Sequence, residues 1–269
     1  MIQTEQYKHH TFDNSYATIH YLTQGDPRNP LMLFVHPAFS DYSSFSQQLD
    51  YFAAHYRVVA VDLLGHGASQ VHEFNGQTLS MAELIGEIIK REQHQQAHVV
   101  GVSLGSLIVQ DLAARLPSMV KSVTVVGGYP IFAPSSVIKR RQAIEMLKLA
   151  PFMLFSVERL RRKVARDVVI QPEAREQFYR SSQAWTRHSL RAMGLLGDVF
   201  RAEFQPSAHP VLIVVGEHER ELLRNEARTW QAKERLAQLH SITNAGHCAN
   251  MDQPAAFNRV VHDFVSQHD

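Results

Sequence analysis

Six short runs rich in Val, Leu and Ile constrain this chain more than any other feature. They are LMLFVH (31–36), YRVVAVDL (56–63), AHVVGVS (97–103), VKSVTVVGG (120–128), PVLIVVG (210–216) and LHSITNAGH (239–247). Each is nearly continuous rather than alternating, the pattern of strands buried on both faces of a parallel sheet. Between them, SSFSQQLDYFAAH (43–55), SMAELIGEIIKREQ (80–93), GSLIVQDLAARLP (105–117) and ELLRNEARTWQAKERLAQ (221–238) carry apolar residues at helical spacings. The alternation predicts an α/β fold: a mostly parallel central sheet flanked by helices, with its chemistry at the carboxyl ends of the strands.

The rhythm breaks after Tyr129. From Pro130 to Phe204 only helical patterns occur, in SSVIKRRQAIEMLKLA, FMLFSVERLRRKVARD and PEAREQFYRSSQAWTRHSLRAMGLL. This predicts an all-helical cap over 130–204, inserted into a core made of 1–129 and 205–269, with ligands held between the two. Phe152, Met153, Phe155, Trp185 and Met193 are the candidates to line that space. The cap is also where charge collects: residues 131–201 hold 14 Lys and Arg against 6 Asp and Glu, a net of +8 within a chain of net charge +1. A positive lid that attracts anionic substrates is one reading, and solvated outer faces of amphipathic helices are the plainer one.

Such a balanced total charge gives no pull toward nucleic acid. The one cysteine, Cys248, excludes an internal disulfide or a thiolate metal cluster and fits a reducing compartment. Neither a signal-peptide pattern nor an 18-residue apolar run is present, so a soluble cytoplasmic protein with no membrane segment is expected. His94 and His98 have H-x-x-x-H spacing, but no Glu follows His94 and the segment enters a strand, so no metal site is expected there.

In HVVGVSLGSLIVQDL a strand runs through Gly101-Val102-Ser103-Leu104-Gly105 straight into a helix. G-x-S-x-G at such a junction has a physical reason. A sharp, strained turn projects the serine hydroxyl, and glycines two residues to either side admit neighbouring backbone. The helix start then aims N–H groups at the place where negative charge develops.

With LFVHPAF (33–39), VDLLGHGAS (61–69), GVSLG (101–105), VLIVVGEHE (211–219) and NAGHCANMDQPAAFN (244–258) in this order, the chain resembles the α/β-hydrolases over nearly its whole length. The resemblance implies Ser103 as nucleophile and His247 as general base. The backbone N–H groups of Leu104 and Ala38 would form the oxyanion hole, with Phe39 the alternative to Ala38. Where the family usually has glycine after His36 this chain has Pro37, which has no N–H to offer. His66 and Asp62 read as structural residues of the turn after a core strand, and Cys248 as a small packing residue.

The family's acid usually stands three residues after the glycine that ends the penultimate strand, which from Gly216 is Glu219. The other position that some members use, here within VVGGYPIF (125–132), holds no carboxylate. Glu217, or a Ser-His pair without an acid, stays open, because acidic residues also favour the first turn of any helix. His218 reads as solvent-facing.

The expectation is a serine hydrolase cleaving a small or medium acyl ester through an acyl-enzyme, with a small-molecule substrate and no cofactor. Thioesters and carbon–carbon bonds beside a ketone suit the same apparatus, and a ligand-binding protein on a hydrolase scaffold is the rival class. Epoxide hydrolase or dehalogenase chemistry would require Asp at position 103. Oligomeric state is not legible.

Overall fold

A computed structural model describes residues 7–72, 80–132, 134, 136–137, 140, 144, 147, 151–152, 155–194 and 199–269. The described strands are β1 (Lys8–Asp13), β2 (Ala17–Gln24), β3 (Leu31–Val35), β4 (Arg57–Val61), β5 (Gln70–Val71), β6 (Ala97–Val102), β7 (Val120–Val126), β8 (Val211–Gly216) and β9 (Ala237–Ile242). Interleaved with them are helices α1 (Ser46–Phe52), α2 (Met81–Arg91), α3 (Leu104–Arg115), α4 (Val157–Val168), α5 (Pro172–Ser181), α6 (Arg187–Gly194), α7 (Glu221–Lys233), α8 (Ala249–Asp252) and α9 (Pro254–Val265).

One sheet runs in the order β1-β2-β4-β3-β6-β7-β8-β9, with β5 paired to β2. From β4 to β9 every pairing is parallel, and β1, β2 and β5 add an antiparallel margin. The six expected strands are all present, and the margin is an addition to them. The last run is shorter than expected: β9 ends at Ile242 and is half exposed as the outermost strand, so residues 243–247 form a loop. The chain passes from β4 back across β3 to β6. That reversal makes the β3/β6 edge the switch point at which an open α/β sheet offers its crevice.

Alternate side chains of β3 enter opposite cores, which is what a strand buried on both faces requires. Leu31, Leu33 and Val35 pack with Ile85 and Ile88 of α2 and Leu107 and Leu112 of α3. Met32 and Phe34 pack with Phe45, with Phe52 of α1, and with Phe257 and Phe264 of α9.

Between β7 and β8 the described elements are α4, α5, α6 and a one-residue bridge of Phe132 to Arg201. The pattern over 172–196 is broken into two helices. Ser181 and Ser182 hydroxyls donate back to the carbonyls of Phe178 and Tyr179, which closes α5. Thr186 Oγ1 then accepts from His188 N–H while Ser189 Oγ accepts from Thr186 N–H, which starts α6. Most of SSVIKRRQAIEMLKLA lies outside the described residues. Among the described residues no helix is long and apolar enough to cross a membrane.

Candidate active site

Ser103 sits between the last residue of β6 and the first of α3 with φ 52° and ψ −112°, backbone space that a side-chain-bearing residue enters only under strain. The surroundings enforce it. Ser103 N–H donates to Val126 O at the end of β7 (2.9 Å), and Ser103 O accepts from Ser106 N–H (3.0 Å) and Ser106 Oγ–H (2.5 Å). A Cβ on Gly101 would run into the Gly105 carbonyl, and one on Gly105 into the carbonyl of Val35. Both glycines are therefore demanded by close backbone approach, as the spacing predicts. Leu104 is the first residue of α3, where N–H groups lack an intrahelical acceptor.

His247 lies in the loop between β9 and α8, against the end of β7. A Cβ on Gly127, the residue after Val126, would fall 2.9 Å from His247 Nδ1 and 3.0 Å from its Cε1. Nδ1 faces Glu219 Oε2 at 2.6 Å. Glu219 is not part of α7. It belongs to the tight turn after β8, with its N–H donated to Gly216 O (3.1 Å) and its Oε1 accepting Arg220 N–H (2.8 Å). Two features bring the turn and the histidine loop together: His218 N–H donates to Ala245 O (2.9 Å), and Gly216 has no Cβ to strike the carbonyls of Ala245 and Gly246. Glu217 points elsewhere, accepting Asn244 N–H at 2.9 Å, and both Glu217 and His218 are exposed.

Burial opposes ionisation of both partners, and each overcomes it through the other. The charge and hydrogen bond of His247, with the Arg220 N–H, hold the Glu219 carboxyl below its usual range, and Glu219 lifts the His247 imidazole above its own. An imidazole with Nδ1–H fixed on a carboxylate presents Nε2 as a base. Cys248, fully buried, has its thiol pushed up by burial and by Asp252 and Glu219, so it packs rather than reacts.

The loop after β3 carries Ala38 and Phe39, the two candidates for the second N–H group. His36 is buried, and its Nδ1 bonds the Pro37 carbonyl (2.8 Å) while its Nε2 accepts Leu63 N–H (2.9 Å). In a trans peptide the N–H points opposite to the C=O, so Ala38 N–H is aimed away from His36. Phe39, at φ 67°, turns its own N–H toward His66 Nε2 at 3.4 Å, which leaves Ala38 the better placed of the two candidates. His66 Nδ1 bonds Leu64 O (3.1 Å), and burial, then the neighbouring His36, drives its pKa down to about 3. Asp62, also buried, accepts from Tyr42 N–H, Ala68 N–H and His20 Nδ1–H at 2.8–2.9 Å. Both residues are spent on structure.

Three pieces of the helical segment touch these loops. Ser181 Oγ and Ser40 Oγ share a 2.7 Å hydrogen bond, and the rings of Trp185 and Phe39 lie 4.6 Å apart. Helix α6 rests on the turn after β4, where Gly65 has no Cβ to strike Ala192. The junction of α4 and α5 meets the histidine loop: Asp252 accepts N–H groups from Ile170 and Gln171 as well as Gly246. Asp252 carries no sequence signal beyond its place before Pro254, because its partners are backbone groups, two of them 81 and 82 residues away.

Of the residues suggested to line the space, Trp185 is buried, Phe152 and Met193 are partly buried, Met153 lies outside the described residues, and Phe155 is 85% exposed and faces solvent. Several basic residues of the segment, among those described, are engaged. Arg162, Lys163 and Arg180 pair with Glu158, Asp167 and Glu176, while Arg161 and Arg175 bond main-chain carbonyls. His98 is likewise occupied, by Ser122 and Asp269.

Residues 32–260 match the model of the alpha/beta hydrolase family. Epoxide hydrolase 3 of Xenopus tropicalis is 26% identical over 275 residues, covering 92% of this chain and 74% of that one. The (E)-2-((N-methylformamido)methylene)succinate hydrolase of Acinetobacter baylyi is 30% identical over 131 residues, about half of each chain (48% and 49%). A hydrolase of known structure from Pseudomonas aeruginosa superposes with a TM-score of 0.78 at 20% identity, over 98% of this chain and 99% of that one. The chain belongs to the alpha/beta hydrolase family.

Proposed function

We propose that the protein is a serine hydrolase that cleaves a small or medium carboxylic ester through an acyl-enzyme. The observation that carries the reading is the 2.6 Å contact of Glu219 Oε2 with His247 Nδ1, in a chain whose Ser103 is held at φ 52° on the turn from β6 to α3. A serine hydroxyl is a poor nucleophile until an imidazole takes its proton. In this reading Ser103 Oγ attacks the carbonyl carbon as its proton passes to His247 Nε2, and Glu219 keeps Nδ1 protonated and supports the imidazolium. The Leu104 and Ala38 N–H groups receive the oxyanion. His247 then protonates the departing alcohol, and a water activated by the same imidazole releases the acid.

The resemblance to an epoxide hydrolase does not carry that activity over. An alkyl-enzyme needs a carboxylate nucleophile, and position 103 is serine. Thioesters or carbon–carbon bonds beside a ketone would meet the same groups. We also assign residues 130–204 as a cap over a core of 1–129 and 205–269, with α5 and α6 shaping the space above Ser103.

The test is Ser103→Ala together with a fluorophosphonate probe. Stoichiometric labelling of Ser103, lost in His247→Ala, and absent ester turnover in a folded Ser103→Ala variant are the expected results. Full activity in Ser103→Ala would sink the assignment, and an inert Ser103 in the unmodified protein would favour a binding protein.

A further inference from the structure

Asp252 takes no part in the chemistry just described, yet it is buried and accepts three backbone N–H groups from two separate parts of the chain. Its Oδ2 holds Gly246 N–H at 2.7 Å, and Gly246 is the residue immediately before His247. Its Oδ1 holds Ile170 N–H at 2.9 Å and Gln171 N–H at 2.8 Å, the connection between α4 and α5. The same junction is sewn to the same loop twice more, by Cys248 N–H on Val168 O (3.0 Å) and by Gln171 Nε2 on Asn244 O (3.1 Å). Contact is close throughout: a Cβ on Gly246 would fall 3.0 Å from Ile170 Cγ2 and 3.2 Å from Asp252 Oδ2.

We infer that Asp252 is a positioning residue for His247, holding the loop before the base against the α4–α5 junction, so that seating of this junction and alignment of the imidazole occur together. The inference rests on the serine-hydrolase reading. A carboxylate is required because the two sides both present donors. An amide in its place would turn an NH2 toward one of those N–H groups and lose that side of the link. Displacement of the loop by about 1 Å is enough to cost about 100-fold in rate when the general base must meet a hydroxyl at hydrogen-bond distance.

The experiment compares Asp252→Asn with the unmodified protein on a p-nitrophenyl ester and on a fluorophosphonate. Expected is a folded variant whose kcat falls about 100-fold with KM little changed, and whose Ser103 labelling slows in proportion. A residue that served only stability would lower the unfolding temperature and leave kcat and labelling per folded molecule where they were. Gln171→Ala is the second variant. It removes the side-chain contact with Asn244 O while the Gln171 N–H and Asp252 stay in place. It should lower kcat in the same direction by less. Folded Asp252→Asn with kcat and labelling within about twofold of the unmodified protein overturns the inference, as does the same result in Gln171→Ala should Asp252→Asn not fold. The two readings fail separately: retained activity in Ser103→Ala removes the serine mechanism, whereas an inactive Ser103→Ala beside a fully active Asp252→Asn removes only the role of Asp252.

Discussion

Glu219 reaches His247 from a turn that closes one residue before the N-cap of α7, so its carboxylate is aimed by the end of β8 and not by a helix. The turn is itself hydrogen-bonded to the histidine loop, through His218 N–H on Ala245 O.

Glu219→Gln should lower kcat by roughly 10³–10⁴-fold, because an amide no longer fixes the Nδ1–H tautomer or supports the imidazolium. Steady-state kinetics on a p-nitrophenyl ester check this. Glu217→Gln, which touches only the exposed contacts with Asn244 and His218, should leave kcat unaltered, and a reversed ranking would assign the acid to Glu217.

The pH dependence follows from the pair. A base must be neutral to accept the Ser103 proton, and Glu219 raises His247 above 6.5, so kcat/KM should climb through a limb displaced above that value. In Glu219→Gln burial is unopposed and the limb should move below it. For stability, the lowered Glu219 contributes above 4.5 and loses that contribution as pH falls through its folded value, whereas the raised His247 contributes fully below 6.5 and loses it as pH rises. The loss of unfolding temperature in Glu219→Gln should therefore be greatest between 4.5 and 6.5, and a loss independent of pH would contradict the coupling.

Ser103→Gly should abolish turnover and stabilise the fold. Strained backbone of this kind costs about 1–3 kcal/mol, part of which glycine gives back through the unfolded chain, leaving about 1 kcal/mol or a rise of roughly 2–4 °C. Calorimetry against Ser103→Ala, which keeps the strain, isolates the backbone effect.

His66→Gln should be less stable at neutral pH by about 1–3 kcal/mol, because Phe39 N–H or Leu64 O loses its partner. His66 is neutral in the fold to about 3 but titrates near 6.5 when unfolded, so it contributes stability above 6.5 that drains away as pH falls. Urea titrations below 6.5 should show a shallower decline in the variant.

Gly65→Ala should act on substrate binding more than on the core. The new Cβ would fall 2.5 Å from Ala192 Cβ and 3.1 Å from Ser189 Cα, at φ 71°, so α6 must shift. A raised KM that Ala192→Gly partly restores is expected, and an unchanged KM would place α6 away from the substrate.

How much of this was visible in the sequence depends on distance along the chain. Ser103 is legible in the strand-to-helix pattern, whose two glycines local contacts require, whereas His247 and Glu219 are legible only through the resemblance to the α/β-hydrolases; the structure brings those two side chains to 2.6 Å of each other. β1 and β2 escaped because KHHTFD and ATIHYLTQ are polar and alternate weakly, as marginal antiparallel strands can. The break at Ser182 was hidden because back-bonding serines do not interrupt apolar spacing. Phe155 looked like a lining residue by type, but which way a helix faces is decided by its neighbours. Asp252 was invisible for a related reason: a carboxylate that binds backbone leaves no complementary side chain to find.

His36 and His66 show a use of histidine that has nothing to do with protons. Buried with rings 5.3 Å apart, each bonds a carbonyl on one nitrogen and an N–H on the other, so each is a rigid strut of fixed length with one donor end and one acceptor end. An aliphatic residue would fill the volume but carry neither end, and a glutamine would carry both on a hinge. The loop that carries Ala38 is braced from below by two imidazoles that burial holds toward their neutral form, so Ala38, the proposed oxyanion donor, would keep its bearing across the pH range in which His247 titrates.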